Sequence, residues 1–152
     1  MSAKTTYRCV LAAAAPVLAM PMVASANGVT PALTIANNEP TGISLSSQTA
    51  GVCGNWIGAG VVEPPPNVPG SSTSGPFKLS VSGTCAVLNH ASMTYIHTGS
   101  IVTSCTYTIT GNGSFTYGAS GATGCSFAID VGTGAVTFIF PDLTAGKRPT
   151  RR

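Results

Sequence analysis

Of the five cysteines in this sequence, Cys9 lies in the N-terminal signal-like segment and is expected to be lost with it; the side chains with the most definite chemistry are the four that remain, Cys53, Cys85, Cys105 and Cys125. Thiols can hold zinc or pair as disulfides. Four-cysteine zinc sites draw their ligands from closely spaced C-x-x-C pairs, and no two of these cysteines are that close. An even set at wide spacing, behind an export signal, reads as two disulfides. Each bridge typically adds about 2–4 kcal/mol, which matters for a domain with a modest core. The pairing with the shorter total loops joins Cys53 to Cys85 and Cys105 to Cys125. That choice has a geometric consequence. Residues two strands apart in one flat sheet lie roughly 9.6 Å apart, whereas a disulfide needs Cα atoms within about 7 Å. A Cys105–Cys125 bridge therefore requires their two hairpins to face each other across a sandwich or a tight barrel corner.

The remaining candidates for chemistry are sparse. His90 and His97 could ligate copper or zinc, but no acidic residue lies near them in sequence and the cysteines are expected to be oxidised, so they read as loop histidines. A paired-carboxylate hydrolase would draw on Glu39, Glu63, Asp130 and Asp142. Asp130 alternates outward in a strand, Glu63 opens a proline run and Asp142 follows the last strand, all solvated positions. There is no P-loop, H-E-x-x-H or G-x-G-x-x-G, and Gly118-Ala119-Ser120-Gly121 brings its final glycine one position too early for a nucleophile elbow. The expectation is a protein without catalytic residues, cofactor or metal. Trp56, the single tryptophan, sits among glycines and reads either as an exposed stacking contact or as a core anchor beside Cys53. Thr106, Thr108 and Thr110 form a threonine row suited to ice or polysaccharide contact, although threonine is also ordinary on exposed strand faces. Thr116 shares that outward face. Asn112-Gly113-Ser114 is a formal glycosylation acceptor that an Asn-Gly turn explains equally well.

The first 26 residues have the order of a secretory signal: Lys4 and Arg8, an apolar stretch from Cys9 to Val23, then Ala24-Ser25-Ala26. Pro16 and Pro21 interrupt the apolar stretch and disfavour a membrane anchor. Cleavage after Ala26 leaves Lys78, Lys147, Arg148, Arg151 and Arg152 against Glu39, Glu63, Asp130 and Asp142. All of these bases except Lys78 lie in the C-terminal tail, so the folded part is net acidic and lacks the basic face of a nucleic-acid binder. The tail Lys147, Arg148, Arg151, Arg152 reads as a contact for an anionic polymer or membrane surface, or as a solubilising terminus. Localisation is expected in the periplasm, at the cell surface or outside the cell.

These groups must be positioned by strands. Residues 27–62 hold short apolar pieces, 63–76 form a Pro/Gly/Ser linker, 77–141 alternate with period two, and 142–152 make the tail. Cys53 needs a partner beyond the linker, so 27–62 and 77–141 read as one domain. Phe77-Leu79-Val81, Cys105-Tyr107-Ile109 and Cys125-Phe127-Ile129-Val131 each alternate with polar or small residues, which puts apolar and hydroxyl groups on opposite faces. The segment from Cys105 to Tyr117 repeats from Cys125 to Phe138, with a fainter copy from Cys85 to Tyr95. Gly111-Asn112-Gly113 and Gly132-Thr133-Gly134 supply the hairpin turns. The expected fold is all-β: a small antiparallel sandwich or partly closed barrel of about three repeated hairpins, stabilised by disulfides. Tyr107, Ile109, Phe115, Phe127, Ile129 and Phe138 are the expected core. Between Phe77 and Phe140 the only fully charged side chains are Lys78 and Asp130. Edge strands are commonly guarded by charge, and their absence here suits strand-to-strand self-association.

The spacing of Ala91-Ser92-x-Thr94, Gly99-Ser100 and Cys105, and of Gly113-Ser114-x-Thr116, Ser120-Gly121 and Cys125, resembles small secreted bacterial proteins named as activators of alkane oxidation. The likeness covers residues 85–125. It implies an exported, non-enzymatic β protein associated with the cell surface or biofilm, and the leading reading of the chain itself is a surface or matrix component acting by self-association or polymer binding. The likeness transfers no functional residue. The other readings of the chain are a soluble ligand-binding or adhesive module that uses Trp56 and the tyrosines and, third, a small secreted hydrolase.

Overall fold

A computed structural model describes residues 28–58, 64–82, 87–99 and 102–144. The N-terminal segment read as an export signal, Glu63, Cys85 and the basic tail from Lys147 onward lie outside the described residues. Ten strands are described: Leu33–Asn37 (β1), Ile43–Thr49 (β2), Gly54–Gly58 (β3), Asn67–Val68 (β4), Ser72–Val81 (β5), His90–Thr98 (β6), Val102–Gly111 (β7), Phe115–Gly121 (β8), Ser126–Ile129 (β9) and Val136–Phe140 (β10). They form two five-stranded sheets. Sheet I runs β3-β5-β1-β10-β9 and sheet II runs β4-β2-β6-β7-β8. Every pairing is antiparallel except β1 with β10, which is parallel. Neither sheet closes on itself, so the architecture is a sandwich and not a barrel.

Alternation builds the core. Leu33 and Ile35 of β1, Phe77, Leu79 and Val81 of β5, and Val136, Phe138 and Phe140 of β10 point inward from sheet I. Met93, Tyr95, Cys105, Tyr107 and Ile109 meet them from sheet II. Tyr107 packs on Phe138 with ring centroids 4.9 Å apart, and Tyr117 approaches both Phe138 and Phe127. Burial raises all three of Tyr95, Tyr107 and Tyr117 above the ordinary phenol value, Tyr117 to about 12. Tyr95 spends its hydroxyl on the Pro65 carbonyl at 2.8 Å, whereas the buried Tyr107 hydroxyl has no partner among the described residues. The two tyrosines should therefore respond oppositely to loss of the hydroxyl. Tyr95→Phe should cost about 1 kcal/mol, while Tyr107→Phe should be neutral or stabilising. Urea denaturation of both variants checks this, and a destabilised Tyr107→Phe would contradict it.

The stretch read as a linker is partly strand. It holds β4 and the first half of β5. Proline is tolerated there for positional reasons. Pro65, Pro66 and Pro69 flank the two-residue strand β4 at the outer edge of sheet II, and Pro76 falls where the β1–β5 register shifts, a place with no ladder bond to donate.

The two strong repeats are hairpins as expected, β7–β8 and β9–β10, joined in unbroken register. The faint third copy is not one. Residues 87–89 form no strand, and β6 pairs instead with β7 and β2. The expected core list also needs correction. Tyr107, Ile109, Phe115 and Phe138 are buried, but Phe127 and Ile129 are 36% and 47% exposed. Their faces are right, since Phe127 lies opposite Phe138 and Ile129 opposite Val136. Their strand is the last of sheet I, and the rim leaves one flank of each side chain open to solvent.

Cys105 and Cys125 are bonded, with Cα atoms 5.7 Å apart. Cys105 lies on β7 of sheet II and Cys125 immediately precedes β9 of sheet I, so the bridge joins the two layers as the spacing argument required. Gly121 makes the departure from β8 possible: its φ is +116°, and a Cβ there would lie 2.3 Å from the Ser104 carbonyl oxygen. Cys53 is also disulfide-bonded. The expected pairing of Cys53 with Cys85 involves a residue outside the described ones.

Two buried asparagines fix the ends of the sandwich. Asn37 donates from Nδ2 to the carbonyls of Thr41 (2.8 Å), Val68 (3.3 Å) and Pro69 (3.0 Å), and its Oδ1 accepts from the Glu39 amide. Asn89 donates to Ala50 O and accepts from Cys53 N, while its own amide binds the Asn112 side chain. Asn112 in turn donates to Val87 O, so its amide nitrogen is engaged in the fold.

Candidate functional site: the hydroxyl face of sheet II

The outward side of sheet II is a field of short hydroxyl side chains. The β6–β7–β8 registers place Thr94, Thr106 and Ser120 in one cross-strand row and Ser92, Thr108 and Gly118 in the next. The β2–β6 pairing extends these rows to Ser47 and Thr49. A third row holds His90, Thr110 and Thr116. Neighbouring rows are spaced by about 6.8 Å along the strands and the strands by about 4.8 Å. A register shift between Leu45 and Ser47 is what brings Ser47 and Thr49 onto this face. No Asp, Glu, Lys or Arg occupies these strands.

Several hydroxyls are held by neighbouring groups. Thr94 and Thr106 are 2.9 Å apart, Thr110 lies 3.2 Å from His90 Nδ1, and Thr116 donates to the Thr110 carbonyl at 3.3 Å. Gly118 leaves Thr108 uncovered on one side, since a Cβ there would lie 2.6 Å from Thr108 Oγ1. Thr108 and Thr116 are exposed and Thr106 is half-buried. All three face outward, as alternation predicts. Sequence reasoning missed Ser47, Thr49, Ser92, Thr94 and Ser120. The alternation in Ala91-Ser92-Met93-Thr94-Tyr95 is the signal that could have extended the row.

Trp56 does not join this surface. It is buried in sheet I, edge-on to Phe77 with ring centroids 5.8 Å apart, and acts as the core anchor. It is thus withdrawn as a stacking contact. The histidines stand apart. They are seven residues apart on β6, roughly 23 Å along an extended strand, and His97 Nε2 lies 2.6 Å from Thr41 Oγ1. The acids serve the backbone. Glu39 accepts from Leu143 N at 2.8 Å and Asp142 binds the Thr144 amide and hydroxyl. Asp130 closes the β9–β10 turn by accepting from Gly132 N, Thr133 N and Thr133 Oγ1. The Thr133 bonds, with that from Gly132, hold its carboxyl below the usual carboxylate range. Among the described residues no group of three His, Cys, Asp or Glu side chains comes together.

Compared with known proteins, the chain matches no family model, no curated protein sequence and no solved structure.

Proposed function

We propose that this protein is exported and works as a surface or extracellular-matrix component, with the outward face of sheet II holding a neutral, hydroxyl-rich polymer such as a polysaccharide. The observation that supports this reading most is the uncharged hydroxyl lattice spread over β2, β6, β7 and β8. A neutral polymer offers alternating donors and acceptors along its length. A rigid sheet meets them with hydroxyls whose rotamers are already limited by their neighbours, which lowers the ordering cost of binding. An anionic ligand would find no cation on these strands. The signal-like residues 1–26 and the likeness to secreted surface proteins support export.

The test is retention on insoluble neutral glucan and chitin. Wild type should bind with little dependence on salt, because no counterions are released. Ser47→Lys with Thr108→Lys, both at exposed positions, should abolish retention while shifting stability by no more than about 0.5 kcal/mol per site. Retention that survives both lysines would place the contact elsewhere.

A further inference from the structure

The two sheets end together on one side of the sandwich, and that side is unguarded. Among the described strands β8 pairs only with β7 and β9 only with β10, so each has one edge with no described strand beside it. Tyr117 and Phe127 meet across the gap at 6.3 Å, and the Cys105–Cys125 bridge ties the layers just behind them. From Val102 to Ile129 there is no Asp, Glu, Lys or Arg. Neither edge contains a proline, and neither pairing contains a bulge. Charge, proline and bulges are the devices that keep edges from pairing with other chains. The opposite edge of sheet II is built differently: β4 is two residues long and is flanked by Pro65, Pro66 and Pro69. Exposed apolar groups also gather at the unguarded rim, with Phe127 and Ile129 on β9 and Val131 beyond it.

We infer that the β8/β9 rim is an interface between two copies of this chain, formed by antiparallel pairing of β8 with β8 of the second copy. A second copy fits better than a foreign strand because the rim is complementary to itself. A two-fold axis through Gly118, the middle of β8, sets Thr116 opposite the partner's Ser120 and buries uncharged residues against uncharged residues. The same axis turns the apolar rim of β9 toward its counterpart. The result is isologous and closed, a dimer and not a fibre, because the proline-flanked β4 edge is left out. Pairing also extends the hydroxyl face of sheet II into one surface across both copies. Multivalent contact of that kind raises avidity without any new side-chain contact. The dimer does not depend on the polymer reading, and the two are tested separately.

Analytical ultracentrifugation of the mature protein across concentration, with thermal unfolding alongside, tests the interface. Wild type should sediment as a dimer. Thr116→Lys with Ser120→Lys sets like charges opposite one another across the axis and should give a monomer whose thermal midpoint matches that of wild type diluted to where it dissociates. Thr116→Lys with Ser120→Glu sets opposite charges there and should restore the dimer. Asn67→Lys, at the β4 edge, should leave the dimer intact. If the lysine pair melts below the dissociated wild type, Ala128→Lys on the exposed outer side of β9 takes its place, with the same expectation of a monomer. The inference is overturned by a wild-type monomer at all concentrations. It is overturned equally by a lysine variant that sizes as wild type, by failure of the Lys/Glu pair to restore association, or by dissociation through Asn67→Lys.

Discussion

Asn37→Asp should unfold most of the protein under conditions in which wild type is folded. In wild type one amide nitrogen serves the carbonyls of Thr41, Val68 and Pro69, and one amide oxygen takes the Glu39 N–H. Aspartate keeps the acceptor and replaces the donor with a second oxygen. A carboxylate then faces three carbonyl oxygens at a site 1% exposed. An uncompensated buried charge of this kind costs about 3–5 kcal/mol, a large part of the 5–15 kcal/mol typical of a whole domain. Asn37→Ala removes the same bonds without adding charge and should cost less, about 2–3 kcal/mol. Asn38→Ala, at the exposed neighbouring position, should stay within about 0.5 kcal/mol. Urea unfolding followed by the fluorescence of buried Trp56 ranks the three. An Asn37→Asp midpoint within error of Asn38→Ala would remove Asn37 from its structural role.

The second large effect concerns the bridge between layers. Cys105→Ala with Cys125→Ala opens a loop of sequence separation 20, worth about 3 kcal/mol in the chain-entropy account. For a domain of this size that loss should lower the thermal midpoint by more than about 10 °C. The damage should also be local. β9 is a four-residue outer strand with no buried residue, held by β10 on one side and by the bridge just before it. Its amides should exchange with solvent ahead of those of β7 and β10. Uniform exchange across all three strands would show that the bridge acts only on the unfolded chain.

Local pattern carried the β7–β8 and β9–β10 hairpins, because alternation and glycine turns act within a few residues of each other. Loop length pointed to the Cys105–Cys125 pairing, and a distance argument that needed no coordinates tied that pairing to two facing layers. Local pattern failed where burial depends on a strand's place in the sheet. Phe127 has the same period as Phe138, and only its rim position separates them. The third hairpin failed for a related reason: β6 finds both of its partners through register with β2 and β7, and the Cys85 repeat merely resembles the other two. The hydroxyl face was visible as one threonine row on β7. Its width depends on pairing across four strands and on the register shift in β2, neither of which leaves a contiguous sequence signal. Asn37 and Asn89, single polar residues beside turns, gave no sign of being buried.

The parallel pairing of β1 with β10 sets an order on folding. Leu33 must find Val136 and Asn37 must find Phe140, partners separated by roughly the whole length of the domain. Loop closure over such distances makes folding slow, in the millisecond-to-second range typical of β sandwiches. It also means that sheet I has no centre until the final strand exists: β1 has only one neighbour and the inner face of β5 lacks Phe138 and Phe140 to pack against. A chain emerging N-terminus first from a ribosome or a membrane pore would stay incomplete, and so threadable, until its last strand came through. The strand β10 then acts as the latch of sheet I.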